Sequence, residues 1–215
     1  MPVDLAALLA PGASALVTQE CQRGVIGERS VLVELAAEAR RQAVGNVARL
    51  AAAARRLGVP VVHCLALRHP DGLGANTNAR LFRAVAGREI AILAGSPDAE
   101  VVDEIGTDPH DLVLARYHGL GPMGGTELDA VLRNMGVTTV VGVGVSVNVA
   151  IPSFVMDAVN AGYQFVLPRD AVAGVPPAWA DQVIDNMLSL MATVTTTDDV
   201  LAAWGGHEHG RQAGG

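Results

Sequence analysis

Short apolar runs that predict strands alternate along the chain with longer segments of helical periodicity. The apolar runs cover residues 13–18, 59–67, 112–115, 137–145, 163–167 and 192–195. Alternation of this kind is typical of βαβ units, in which each strand is followed by a helix that crosses over the sheet. The sequence therefore predicts an α/β fold with three layers (α/β/α) around a doubly wound, six-stranded, mainly parallel sheet.

The segments between the strands set the expected domain organisation. Residues 31–57 are rich in alanine, have helical periodicity and are predicted to form one long helix that ends at Gly58. Residues 68–80 are dense in Gly, Asn and Asp, and predict a long loop of the kind that often carries function. No repeat or linker divides the chain, so we expect a single domain over residues 1–204 and a disordered tail over 205–215.

Charge and hydropathy exclude two classes of partner. The formal net charge is -7 and aromatic residues make up 3% of the chain, so it lacks the basic field and the stacking surfaces that nucleic acids require. Residues 134–156 carry no charge and could span a bilayer by length. Glycines, polar residues and Pro152 interrupt this run, and its β-branched first part predicts a buried strand instead of a membrane helix.

Cysteine usage and the N-terminus predict a cytoplasmic protein. Cys21 and Cys64 are the two cysteines, too few for a disulfide framework or a four-cysteine zinc site. The first residues show no basic segment followed by an apolar run, as a secretory signal would.

No G-x-G-x-x-G follows the first strand, which argues against a flavodoxin-like or dinucleotide-binding module. We expect no cofactor.

Polar residues follow three of the predicted strands. Glu20 and Gln22 come after the first strand, Arg116 and His118 after the third, and residues 146–150 after the fourth. Ligands of open parallel sheets bind beyond the carboxyl ends of the strands. The sequence therefore predicts that these residues form one site.

The motifs at these positions resemble the isochorismatase-like, or cysteine hydrolase, superfamily, which includes nicotinamidases and carbamoylsarcosine amidase. Glu20, Cys21 and Gln22 match an acid, any residue and glutamine at the end of the first strand. Arg116 stands five residues after Asp111, where the family has a catalytic lysine. The likeness extends over residues 13–204.

The nucleophile motif of this family carries the main departure. The family has Gly, Val, a small residue, Thr, Asn, any residue and Cys, whereas residues 144–150 read GVSVNVA, so Ala150 holds the position of the nucleophile. The resemblance also implies a cis peptide near Val145 and Ser146, and an oxyanion hole formed by the N–H groups of Ser146 and Ala150. It further implies a homodimer or tetramer.

The resemblance leaves two functions open. A family member without the thiol could hydrolyse a small, carboxylated molecule, such as a vinyl ether, with Glu20 as general acid or base and Arg116 binding the carboxylate. Substrate contacts would then come from Gln22, His118, Ser146 and Asn148. The alternative is a catalytically inactive member that binds a ligand or serves as a scaffold.

The sequence gives weaker support to two further chemistries, a replacement cysteine nucleophile and a bound metal ion. Cys21 or Cys64 could replace the missing nucleophile, but Cys64 lies inside a predicted strand and strand alternation points Cys21 away from Glu20. His63, His69 and Asp71 invite a metal, yet their spacing does not match the metal site of the related nicotinamidases. We expect no metal.

Overall fold

A computed structural model of the chain describes residues 3–30, 32–86 and 92–212. The strands are β1 (Ser14–Gln19), β2 (Val61–Ala66), β3 (Leu112–Arg116), β4 (Thr139–Val145), β5 (Gln164–Pro168), β6 (Val172–Ala173) and β7 (Thr193–Thr195). The helices are α1 (Leu5–Leu8), α2 (Arg23–Ile26), α3 (Val33–Arg41), α4 (Ala43–Leu57), α5 (Arg80–Ala86), α6 (Leu128–Asn134), α7 (Ala150–Asn160), α8 (Pro177–Asn186) and α9 (Thr197–Gln212). Short 3-10 turns cover Pro97–Ala99, Arg169–Ala171 and Leu188–Leu190.

The strands form one parallel sheet in the order β3-β2-β1-β4-β5-β7, with β6 paired to β4. The predicted α/β fold and its six strands are confirmed, and β6 is a two-residue addition. The strand order runs outward from β1 in one direction and from β4 in the other. The carboxyl ends of β1 and β4 therefore form the switch point, which is where open α/β sheets bind ligands.

Side chains of β1 alternate between two hydrophobic clusters, one on each face of the sheet. Leu16 joins the cluster that contains Leu50 of α4 and Trp204 of α9. Val17 joins the cluster that contains Phe154 of α7. Both β1 and β4 are buried along their whole length, as expected for central strands covered on both faces. The three-layer architecture follows from this alternation.

The helical region before β2 differs from the prediction. The single helix expected over residues 31–57 is wrong, because the helix is broken at Gln42, whose φ is -149°. The break lets two apolar faces point in different directions. Val47 and Leu50 of α4 pack against the sheet, whereas Leu35 of α3 packs near the end of β1 and lines the cavity described below.

The C-terminal region also differs from the prediction. The last helix, expected to end near Trp204, continues to Gln212, so the expected tail is helical as far as it is described, and residues 213–215 lie outside the described residues. Val200 and Trp204 are fully buried and anchor the first half of this helix. None of the helices in the described ranges is long and apolar enough to cross a bilayer.

A network of buried polar side chains connects the first strands beneath the site. Thr18 Oγ1 lies 2.9 Å from His63 Nδ1, and His63 Nε2 lies 3.1 Å from Asp111 Oδ2, which also accepts from Arg55 Nη2 at 2.6 Å. Because a carboxylate only accepts hydrogen bonds, His63 Nε2 carries the hydrogen and Nδ1 accepts from the Thr18 hydroxyl. Neutral His63 is thus satisfied at both nitrogens.

Burial determines how the side chains of this network respond to pH. It lowers the pKa of His63, although the hydrogen bond and the charge of Asp111 act in the opposite direction. Burial alone would raise the pKa of Asp111, but hydrogen bonds from Arg55, the Asp108 amide and His63 hold it below its usual value. Both groups therefore release protons more readily in the folded chain than in the unfolded one.

We predict that the fold loses stability as the pH drops below the ordinary histidine pKa of 6.5. In the window between that value and the lower pKa of folded His63, the unfolded chain binds more protons, so the free energy of unfolding rises with pH. One proton contributes at most about 1.4 kcal/mol for each pH unit in this window. Urea unfolding at a series of pH values measures this slope.

The His63→Gln variant should be less stable at neutral pH and should show a flatter slope. His110→Gln, at an exposed histidine, is the matched control and should keep the wild-type slope. An unchanged slope in His63→Gln would assign the pH dependence to a different group.

Candidate active site

A cavity of about 700 Å³ opens at the carboxyl ends of β1, β3 and β4. Six of the seven residues that the sequence singles out line this cavity: Glu20, Arg116, His118, Ser146, Asn148 and Ala150. The seventh, Gln22, does not. Because the three strands are parallel, their carboxyl ends meet at one edge of the sheet, and the predicted grouping of these residues follows from that geometry.

An ion pair spans the floor of the cavity. Arg116, the last residue of β3, donates through Nη2 to Oε1 of Glu20, which directly follows β1, and β2 lies between the two strands. Arg116 also donates to the carbonyl oxygen of Leu120 at 3.2 Å. The Arg116 side chain is only 5% exposed, and its Nε and Nη1 have no hydrogen-bond partner among the described residues. The cation is therefore fixed by the carboxylate and desolvated.

Gln19 is a site residue that the sequence reasoning missed. Its Nε2 donates to the same Glu20 Oε1 at 2.9 Å, and the residue is fully buried. Two donors thus hold one oxygen of the carboxylate, while Oε2 has no hydrogen bond within the described part of the chain. The sequence feature that could have indicated this role is a glutamine at the last position of a strand buried on both faces.

The backbone around Glu20 is tightly constrained. Glu20 has a φ of 54°, in the left-handed region that residues other than glycine seldom adopt, and its N–H donates to the Cys64 carbonyl at 2.9 Å. On the neighbouring strand, Gly144 has a φ of 107°, and a Cβ there would lie 2.2 Å from the Gln19 carbonyl oxygen. Outliers of this type concentrate at functional sites, where the surrounding structure enforces them.

Ser146 and Ala150 line the cavity at the start of α7. The peptide between Val145 and Ser146 is cis, as expected, and α7 begins at Ala150. The N–H groups of Val149 and Ile151 donate to the Ser146 carbonyl at 3.3 and 3.0 Å. Within the described ranges the N–H groups of Ser146 and Ala150 have no acceptor. Donors at a helix N-terminus attract negative charge.

Gln22 and Asn148 hold the backbone in place. Gln22 is fully buried; its Oε1 accepts from the Ala66 amide at 2.8 Å and its Nε2 donates to the Ala66 carbonyl at 3.0 Å. Asn148 Oδ1 accepts from the Val175 amide at 2.9 Å, and its Nδ2 donates to the carbonyl of the same residue. The position of Gln22 outside the cavity argues against the predicted substrate contact, and the amide of Asn148 is already occupied.

Of the three histidines considered as site residues, one lies at the cavity mouth and the other two lie outside the cavity. His118 is exposed at the mouth and also lines a smaller cavity of about 410 Å³ on the other side of Arg116. His63 belongs to the buried network below the site, and His69 lies 3.8 Å from Asp71 at the surface. Within the described ranges, no group of three His, Cys, Asp or Glu residues is arranged to hold a metal ion.

Both thiols are buried and neutral. Burial raises the pKa of Cys21 to about 12, and the negative charge of Glu20 acts in the same direction. Burial also raises the pKa of Cys64 to about 12, against the opposing charge of Arg116. Neither cysteine is among the residues that line the main cavity. A thiol needs to reach the thiolate form and the substrate in order to attack it.

Known proteins share this fold and much of this sequence. Residues 14–199 match the family described as Isochorismatase domain. The ureidoacrylate amidohydrolase RutB of Pseudomonas syringae pv. syringae is 28% identical over 205 residues, which cover 88% of this chain and 82% of the relative. The N-carbamoylsarcosine amidase of Thermoplasma acidophilum superimposes with a TM-score of 0.68 at 28% identity, covering 86% of this chain and 97% of that structure.

A third comparison agrees with these two. An isochorismatase family protein of Burkholderia thailandensis superimposes with a TM-score of 0.76 at 25% identity, and the match covers 90% of this chain and 96% of that one. The family match includes each strand of the sheet and the whole floor of the cavity. The chain belongs to the isochorismatase family of hydrolases.

Proposed function

We propose that this chain hydrolyses an amide of a small molecule without a cysteine nucleophile, and that Glu20 activates a water molecule. The observation that carries the proposal is the arrangement of Glu20. Its Oε1 is held by Arg116 and Gln19, while Oε2 has no hydrogen bond within the described chain and Glu20 lines the cavity. One oxygen is thus used for positioning and the other is available for a proton.

The reaction follows from this arrangement. A water molecule beside Glu20 attacks the carbonyl carbon and transfers one proton to Oε2, while the N–H groups of Ser146 and Ala150 stabilise the negative oxygen that forms. The tetrahedral intermediate then collapses, the C–N bond breaks, and Glu20 returns the proton to the leaving nitrogen. The products are a carboxylic acid and an amine, and Glu20 is again a carboxylate.

The pairing with Arg116 favours a base over an acid. In an ion pair Glu20 is a carboxylate, which accepts a proton, whereas protonation of a vinyl ether requires a carboxyl group that already carries one. Two of the relatives are named an amidohydrolase and an amidase. We therefore place the amide ahead of the vinyl ether as the bond that is cleaved.

A binding protein without catalysis is the second candidate. Its support is that Ala150 cannot act as a nucleophile and that Glu20 and Arg116 satisfy each other's charge. In that case a ligand would still stabilise the fold against heat, because it binds the native state and not the unfolded chain.

We also propose that the chain is cytoplasmic and forms a homodimer or tetramer. The edge strand β3 leaves apolar side chains uncovered, and Val113 is 50% exposed. Sedimentation velocity at micromolar concentration should give a dimer or larger species, and a monomer would contradict the assignment.

Glu20→Gln keeps the shape of the side chain, removes the base and leaves Arg116 without its carboxylate, so circular dichroism first establishes that the variant is folded. We expect hydrolysis of simple amides to fall about a hundredfold to ten-thousandfold, the usual contribution of a general base. Steady-state assays on amides and vinyl ethers in parallel measure the effect. Glu28→Gln, at an exposed carboxylate, is the matched control and should retain activity.

The Cys21→Ser, Cys64→Ser double variant should also retain activity, because neither thiol takes part. Loss of amide turnover in that variant, while it remains folded, would contradict the mechanism. If no amide or vinyl ether is turned over by the wild type and a ligand still raises the melting temperature, the binding candidate replaces the enzyme.

Gln19→Leu removes one of the two hydrogen-bond donors to Glu20. Hydrogen bonds to charged groups contribute roughly 1.5 to 3 kcal/mol, so kcat should fall roughly tenfold to a hundredfold with little change in KM.

Gln164→Leu is the matched control, since Gln164 is exposed at the start of β5, at the other end of the sheet. A folded Gln19→Leu variant that keeps the wild-type kcat would show that the hydrogen bond from Gln19 is not needed to position Glu20.

A further inference from the structure

We infer that the substrate has an extended apolar body attached to the amide. This inference rests on the proposed function and specifies the class of molecule that the site accepts. Sites for small molecules usually measure about 300 to 1,000 Å³. A cavity of about 700 Å³ therefore has room for much more than the reacting amide group.

Most of the cavity wall is apolar, and four separate parts of the chain contribute to it. The large apolar residues come from the start of α3, from α5 and from two loops: Leu32, Leu35, Leu81, Phe82, Ile92 and Val175. Apolar surface of this kind gains free energy only when it is removed from water. A small polar substrate would leave most of this wall hydrated.

Several polar side chains of the wall are already engaged with the protein. Asn76 Oδ1 accepts from the Gly119 amide at 2.7 Å, and its Nδ2 donates to Asn78 at 3.2 Å. Both ends of the Asn148 amide bond to Val175. Polar side chains also line the cavity at Glu34, Arg68, Thr77, Tyr117 and His118, but the groups that the proposed reaction uses lie at the floor, around Glu20 and the start of α7.

The apolar wall continues out of the cavity mouth. Val33 is 71% exposed and Leu81 is 46% exposed, and both line the cavity. Exposed apolar residues grouped around one cavity indicate a binding surface. Because this surface is continuous with the reactive floor, we assign it to the far end of the substrate, with the amide at Glu20 and the apolar body along α3 and α5.

The test is a series of straight-chain carboxylates, from acetate through butyrate and hexanoate to octanoate, which correspond to the acids that hydrolysis would release. Calorimetric titration of the wild-type protein should show Kd falling about fourfold for each added methylene, the fold-change that corresponds to burying one CH₂ group. The matching amides should show the same trend in kcat/KM.

Phe82→Asn should flatten the dependence on chain length, since it places a polar group in the wall. Trp179→Asn is the matched control, because Trp179 is an exposed aromatic residue on α8 that does not line the cavity. It should leave the dependence unchanged.

The outcomes separate this inference from the proposed function. A Kd that does not change with chain length, or a dependence that Phe82→Asn leaves intact, would overturn the apolar substrate whether or not amides are cleaved. A chain-length dependence that Phe82→Asn flattens, without turnover of any amide, would uphold the ligand class and overturn the hydrolase.

Discussion

The ion pair between buried Arg116 and partly buried Glu20 is the interaction on which the site depends. It connects the ends of β1 and β3 across β2, and it lies where the chain must turn into the loops that form the cavity. Removing one partner of such a pair leaves an uncompensated charge in a poorly hydrated place, which costs several kcal/mol. Glu20 and Arg116 therefore act as one unit at the floor of the cavity.

The Glu20–Arg116 pair bears directly on the chemistry proposed for the cavity. An alanine at the start of α7 leaves the backbone donors of Ser146 and Ala150 in place but offers no nucleophile, and both thiols of the chain are buried with pKa values raised to about 12. In the proposed reaction, the Glu20 carboxylate, held at one oxygen by Arg116 and Gln19, is the base for water. The proposed reaction uses only groups already aligned at the carboxyl edge of the sheet.

Much of the fold could be predicted from the sequence, because buried strands and crossover helices have distinct periodicities. The motifs also located Glu20, Arg116 and Ala150 at one edge. What could not be predicted depends on side-chain direction: the amide of Gln22 points to the backbone of Ala66, and that of Gln19 reaches Glu20. The break at Gln42 was missed because helical periodicity continues through it.

In the proposed reaction water, and not a thiol, attacks the substrate. Intact-protein mass spectrometry of acid-quenched samples taken during steady-state amide turnover tests it most directly, because an acyl group carried by the enzyme adds its mass to the chain. This mechanism predicts that the protein keeps its unmodified mass at every time point. An acyl adduct that appears and decays at the rate of turnover, on Cys21, Cys64 or any other residue, would contradict it.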